Sequence, residues 1–146
     1  MFEEVELRVE VPETLAVEAD PGMLRHVLVN LLFHGAVHAG PGHRVVVVSA
    51  APDEADAAAV RIRVRSSGAA LGAEAKRRAF EPFFATRAGG SGLGLAVVRR
   101  LVEEQHGRVA IDHDVAEGLS VSVWLLCAGG PAEAASPGPA RPSRVS

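Results

Sequence analysis

The order of its apolar patterns constrains this chain most. Val5, Leu7, Val9 and Val11 alternate with polar residues, the period of a half-buried strand. Residues 15–19 read as a second short extended piece. Leu24, Val27, Leu28, Leu31 and Leu32 then recur at helical spacing. Residues 45–48 make a buried-strand run, residues 51–57 a turn with the charges Asp53, Glu54 and Asp56, and Val60, Ile62 and Val64 alternate in another strand. A short helix is predicted over residues 74–80 and a longer one over 93–105. Residues 109–111 and 119–126 supply the last two strands, and Trp124 within the latter reads as core. Strands therefore come in pairs, parted by two substantial helices, unlike the regular alternation of a doubly wound parallel sheet. The pattern predicts an α+β fold, a two-layer α/β sandwich whose mixed or antiparallel sheet is covered by helices on one face.

Local signals set the boundaries. Asp20-Pro21 offers an N-cap and a first-turn proline for the first long helix, and Gly40-Pro41-Gly42 ends that region. Gly107 is the expected C-cap of the second. Residues 128–146, rich in Gly, Pro, Ala and Ser without apolar periodicity, read as a disordered tail, leaving 1–127 as one folded domain. A chain of 146 residues that is 48% hydrophobic can bury a core of its own. Its formal net charge of −3 gives no global basic field, so nucleic acid is not an expected partner. Cys127 is the only cysteine, which excludes an internal disulfide framework and a cysteine zinc cluster. No run approaches the roughly 18 apolar residues of a membrane span, and residues 1–4 lack the character of a signal peptide. A cytoplasmic domain without membrane contact is expected.

The chemistry concentrates in Gly90-Ser91-Gly92-Leu93-Gly94-Leu95. Three glycines alternate with other residues and an apolar helical run follows. Backbone free of Cβ atoms brings N–H groups close to an anion, and the helix N-terminus adds roughly half a positive charge. A phosphate chain is the natural ligand of such a segment, so nucleotide binding is expected.

Four segments, in order, carry a resemblance. Asp20-Pro21 with Leu24, Val27, Leu28 and Asn30-Leu31-Leu32 resembles the N box of bacterial sensor histidine kinases. Phe80-Glu81-Pro82-Phe83-Phe84-Ala85-Thr86-Arg87 resembles their F box and the start of the ATP lid, and residues 90–96 their second glycine box. His106-Gly107-Arg108-Val109 and the run from Gly118 to Leu125 resemble their closing strands. The chain is thus similar to the catalytic ATP-binding domain of histidine kinases, in the GHKL superfamily. The resemblance implies a Bergerat-type fold, with ATP and Mg2+ between the helices under a short lid over residues 84–92. It implies phosphate binding by Gly90, Ser91, Gly92, Leu93 and Gly94, and contacts to the phosphates from Thr86, Arg87 and His38. It places Gly68 in the first glycine box. It also implies phosphoryl transfer to a histidine, with a dimerisation and phosphoacceptor domain and a response regulator as partners. None of the six histidines has the acidic and Arg-Asn-Pro-like surroundings of a phosphoacceptor, so the acceptor is expected outside this chain.

The departures are specific. Asn30 is followed four residues later by His34, where the family has a second asparagine that ligates Mg2+. Positions i and i+4 share a helix face, so Asn30 and His34 are the candidate metal residues. Imidazole suits Mn2+ or Zn2+ better than Mg2+, and His34 can instead donate a hydrogen bond to a phosphate. Val37 replaces a basic residue. Ser66 stands where an aspartate normally accepts a bond from the adenine amino group, and Ala70 replaces a glycine. Loss of that charge-assisted bond costs about 1.5–3 kcal/mol, roughly ten- to a hundred-fold in affinity. ATPases of the superfamily that use water place a glutamate at the Asn30 position, so slow intrinsic hydrolysis is expected. The leading reading is a phosphoryl-donating histidine-kinase domain. The alternatives are a pseudokinase binding module without phosphotransfer and an anti-sigma-type serine kinase of the same superfamily.

Overall fold

The computed structural model describes residues 5–39, 44–68, 72–81, 94–112 and 118–128. Five strands and three helices follow the order β1 (Val5–Glu10), α1 (Pro21–His38), β2 (Arg44–Pro52), β3 (Ala59–Ser66), α2 (Ala73–Arg78), α3 (Gly94–Glu104), β4 (Arg108–Ile111) and β5 (Leu119–Leu126). They build one sheet in the order β1-β2-β3-β5-β4. β1 and β2 are parallel, as the α1 crossover between them requires, and the other pairs are antiparallel. The mixed sheet with helices on one face is the predicted α+β sandwich.

Alternation divides the sheet into two faces. Val60, Ile62 and Val64 of β3 and Leu119, Val121, Val123 and Leu125 of β5 are buried with Leu24, Val27 and Leu31 of α1 and Leu95, Val98 and Val102 of α3. Each such side chain contributes about 1.5–3 kcal/mol when fully buried. The intervening residues Arg61, Arg63, Ser120, Ser122 and Trp124 occupy the opposite face.

Both long helices end as physical rules dictate, one of them differently from expectation. Asp20 Oδ2 accepts from the Met23 N–H at 2.8 Å, which satisfies an orphan donor of the first turn, and Pro21 follows at the first helical position. The Asp20 N–H donates to Gln105 Oε1 at 3.1 Å and ties the start of α1 to the end of α3. At the end of α3 the left-handed residue is His106, with φ 64°, and not Gly107. The Gly107 N–H bonds back to Val102 O at 2.9 Å and the His106 N–H to Glu103 O at 3.0 Å, the paired bonds of a Schellman motif. Gly107 is required for space: a Cβ there would collide with the Trp124 carbonyl oxygen.

Other expectations change in detail. The extended piece at 15–19 reduces to a single bridge between Val17 and Cys127, and β2 runs on through Ala51 and Pro52, residues expected in a turn. Leu7 is 52% exposed and Val9 64%. β1 is an edge strand beyond the helix layer, so its apolar alternation does not translate into burial. Trp124 is half-buried on the face away from the helices, not in the core. Its Nε1 donates to Asp53 Oδ1 at 2.9 Å, and the Arg108 guanidinium lies 3.7 Å from its ring centroid. Residues 129–146 of the proposed tail, and Gly40, Pro41 and Gly42, lie outside the described residues.

Candidate nucleotide site

Asn30, His34 and His38 recur every four residues along α1 and share one side of it. Asn30 is half-buried, and its Nδ2 donates to His26 O one turn earlier at 3.1 Å. That bond assigns the amide orientation and leaves Oδ1 as the group able to meet a ligand. His34 is also half-buried. Burial first, and the charge of His38 second, push its pKa down to about 4, so it is a neutral imidazole at pH 7. His38 is 3% exposed at the end of the helix, whereas its sequence position suggested a surface or helix-end residue.

The end of β3 closes on the end of α1. Ser66 is buried and its Oγ donates to Leu119 O at 3.5 Å. Gly35 lies over it: a Cβ at Gly35 would sit 3.6 Å from Ser66 Cβ and 3.5 Å from Val46 Cγ1. The chain then turns through Gly68 at φ 113°, a conformation reserved for glycine. A Cβ on Gly68 would lie 2.7 Å from His38 O and 3.0 Å from Ala39 O. Gly118, at φ 75°, brings the start of β5 against the Ser66 carbonyl oxygen, with no room for a side chain. The Ser67 N–H donates to Val45 O at 2.9 Å and the Val45 N–H to Ser67 Oγ at 3.0 Å.

Gly94 opens α3, which packs against α1, and no described atom comes within 4 Å of where its Cβ would be. The structure therefore brings Asn30, His34, His38, Ser66 and Gly68 to one end of the sandwich, around the α1–β3 junction. Thr86, Arg87, Gly90, Ser91, Gly92 and Leu93 lie outside the described residues, as do Ala70 and most of the F box. Among the described residues, no three His, Cys, Asp or Glu side chains converge on a possible metal site. A cation at α1 would thus have Asn30 Oδ1 and the His34 imidazole as its protein donors. That mixed set does not fit Mg2+, which prefers oxygen ligands throughout.

Sequence reasoning missed two features. Gly35 and Gly118 hold the walls of the junction together; the signal was a glycine inside a helical pattern and another directly before a strand. The second is Asp112, buried on the open face of the sheet. Its carboxylate accepts from Ser120 Oγ at 2.6 Å, from Ser122 Oγ at 2.8 and 2.9 Å, from Arg61 Nη2 at 2.8 Å and from Arg63 Nε at 3.2 Å. Burial alone would raise this carboxyl, but the two hydroxyls and then Arg63 and Arg61 outweigh it and hold the pKa below 3.8. Arginines alternating with valines along β3 were the hint that a counter-charge was needed.

A glycine segment at a helix N-terminus, beside an α1–β3 junction on a mixed five-stranded sandwich, defines the class of nucleotide-binding α/β sandwich ATPases. The model of the histidine kinase-, DNA gyrase B- and HSP90-like ATPase family matches residues 19–128, and the chain belongs to that family. ATP is the cofactor this membership assigns. The chain is 37% identical over 123 residues to the sensor histidine kinase ZraS of Escherichia coli K12, covering 84% of this chain and 26% of ZraS. It thus spans about a quarter of that relative's length. The nucleotide-free catalytic domain of the histidine kinase ThkA superposes with a TM-score of 0.72 at 27% identity, covering 84% of this chain and 78% of that one. Full-length ShkA in complex with AMPPNP superposes at 0.71 and 28% identity, covering 88% of this chain and 27% of ShkA. The chain is a catalytic ATPase domain of the sensor histidine kinase type.

Proposed function

We propose that this domain binds ATP with a divalent cation, Mg2+ or Mn2+, and donates the γ-phosphoryl group to a histidine outside these 146 residues. That histidine sits on a dimerisation and phosphoacceptor domain, and a response regulator receives the group from it. The observation that carries this reading is the family match over residues 19–128 on a sandwich whose α1 end meets the Ser66 to Gly68 turn. The AMPPNP bound in the ShkA structure supports an adenine nucleotide. The roughly fourfold greater length of ZraS supports an acceptor on another domain.

In this reading Ser66 faces the adenine and Gly68 shapes the turn beside it. His38 lies toward the phosphates and Asn30 and His34 toward the cation. Gly90, Ser91, Gly92, Leu93 and Gly94 cradle the phosphate oxygens, and Thr86 and Arg87 reach the γ-phosphate, Arg87 with a fork of donors. Catalysis is positioning and electrostatics: the acceptor nitrogen forms the bond to phosphorus while the bond to the ADP oxygen breaks, and ADP departs with its electrons. The folded domain spans residues 1–127, with 128–146 as a tail, in the cytoplasm.

The test is calorimetric titration with ATP and ADP, followed by incubation of labelled ATP with the domain and a phosphoacceptor domain. Micromolar to millimolar binding and label on the acceptor histidine are expected. No binding at millimolar nucleotide with either cation refutes the reading. Binding without transfer moves the chain to the pseudokinase alternative.

A further inference from the structure

We infer that the cation accompanying the nucleotide here is a divalent first-row transition ion, Mn2+ or one later in the series, held by Asn30 Oδ1 and the His34 imidazole. The inference rests on the ATP reading above and specifies the metal of that same site. Mg2+ is small, demands near-ideal octahedral oxygen coordination and gains little from an imidazole nitrogen. Affinity of a nitrogen-containing site instead rises from Mn2+ through Co2+ toward Cu2+. A nucleotide brings phosphate oxygens of its own, so a mixed site of one amide oxygen, one imidazole and phosphate oxygens satisfies such ions.

Three observations favour a ligand role for His34 over simple packing. It stands one helical turn after Asn30, on the same side of α1. The Asn30 Nδ2–His26 O bond turns the amide oxygen toward whatever the pocket holds. Helix α1 contains no Asp or Glu, and no carboxylate is among the groups that act on His34, so nothing favours its charged form. The imidazole is consequently neutral with a lone pair available, the form in which histidine binds metals.

The experiment titrates ADP into the whole 146-residue chain in the presence of Mg2+, Mn2+, Co2+ or EDTA. Pulsed EPR of the Mn2+–ADP complex reads imidazole-nitrogen coupling directly. Affinity with Mn2+ and Co2+ should exceed that with Mg2+ by about tenfold, and nitrogen coupling should be present. His34→Asn should remove the coupling and bring Mg2+ level with Mn2+. His34→Ala should lose the transition-metal advantage without gaining Mg2+. Equal affinity with all three ions, or absence of nitrogen coupling in the unsubstituted protein, overturns the metal assignment and leaves ATP binding standing. Coupling that survives His34→Asn assigns the nitrogen elsewhere and also overturns it. Absence of ADP binding in every arm, EDTA included, refutes the ATP reading itself, so the two failures are distinguishable.

Discussion

Gly68→Ala tests how the site is built. Gly68 has φ 113° and lies against the last carbonyls of α1. Two costs arise. A residue with a Cβ held in that region of backbone space loses roughly 1–3 kcal/mol. The new methyl would also sit 2.7 Å from His38 O and 3.0 Å from Ala39 O. Both are backbone atoms, so no side-chain rotation relieves the overlap. Either the turn after Ser66 or the end of α1 must move by several tenths of an ångström, and those are two walls of the nucleotide site. The conformational term alone lowers Tm by roughly 3–12 °C for a domain of this size. ADP affinity should fall together with stability. Gly72→Ala is the control, because Gly72 has a negative φ of −72° and nothing within 4 Å of its Cβ position. Scanning calorimetry and ADP titration of the two variants provide the comparison. If Gly68→Ala melts within about 1 °C of Gly72→Ala, and binds ADP equally well, the close approach of turn and helix end does not shape this site.

Three further outcomes are expected. Asp112→Asn leaves Arg61 and Arg63 without their shared carboxylate and should cost roughly 2–4 kcal/mol in urea unfolding at pH 7, toward the lower end of buried ion-pair losses because both arginines are partly hydrated. Because the folded-state pKa of Asp112 lies below its usual 3.8, its contribution is complete above that value and is lost as pH falls through the lower folded value. The Asn variant should therefore show a flatter acid limb, and parallel limbs would contradict the assignment. Ser66→Asp should raise adenine-nucleotide affinity by about ten- to a hundred-fold by restoring a charge-assisted acceptor, and unchanged affinity in calorimetry would remove Ser66 from the adenine position. Gly92→Val should abolish ATP binding while thermal unfolding stays near that of the unsubstituted protein, and retained binding would argue against a phosphate cradle at residues 90–94.

The elements were legible because the hydrophobic periods are strong. Alternation in β3 and β5 and helical spacing in α1 and α3 each answer to a single buried face, and Asp20 with Pro21 fixed the start of α1 by a local hydrogen bond. The same alternation misplaced β1, because periodicity reports which side chains share a face and not whether a helix covers it. Leu7 and Val9 lie on the covered side of the sheet yet beyond the helix. Trp124 failed for a related reason. A large ring in a strand suggests core, but this one lies on the polar face between Arg108 and Asp53. The α1 residues of the candidate site were legible from their four-residue spacing. The roles of Gly35 and Gly118 were not, since each depends on which distant backbone segment comes close, and that is a property of the assembled sandwich.

The two faces of β3 explain why the domain can lose residues common in its family and keep the architecture of the site. Toward the helices, Val60, Ile62 and Val64 fix the strand against α1 and α3, and Ser66 at its end delivers the turn to the pocket. Away from them, Arg61 and Arg63 converge on Asp112, beside Ser120 and Ser122 of β5. This network spans β3, β5 and the residue after β4, so the register that carries Ser66 opposite Leu119 is held from both sides. Register errors in a sheet move every side chain to the wrong face. A strand clamped by apolar packing on one side and a buried carboxylate on the other resists them. Serine at position 66 then changes what the pocket offers an adenine without changing where the pocket wall stands. The wall itself is set by backbone meeting backbone at Gly68 and Gly118, which leaves His34 free to alter the metal preference independently of the fold.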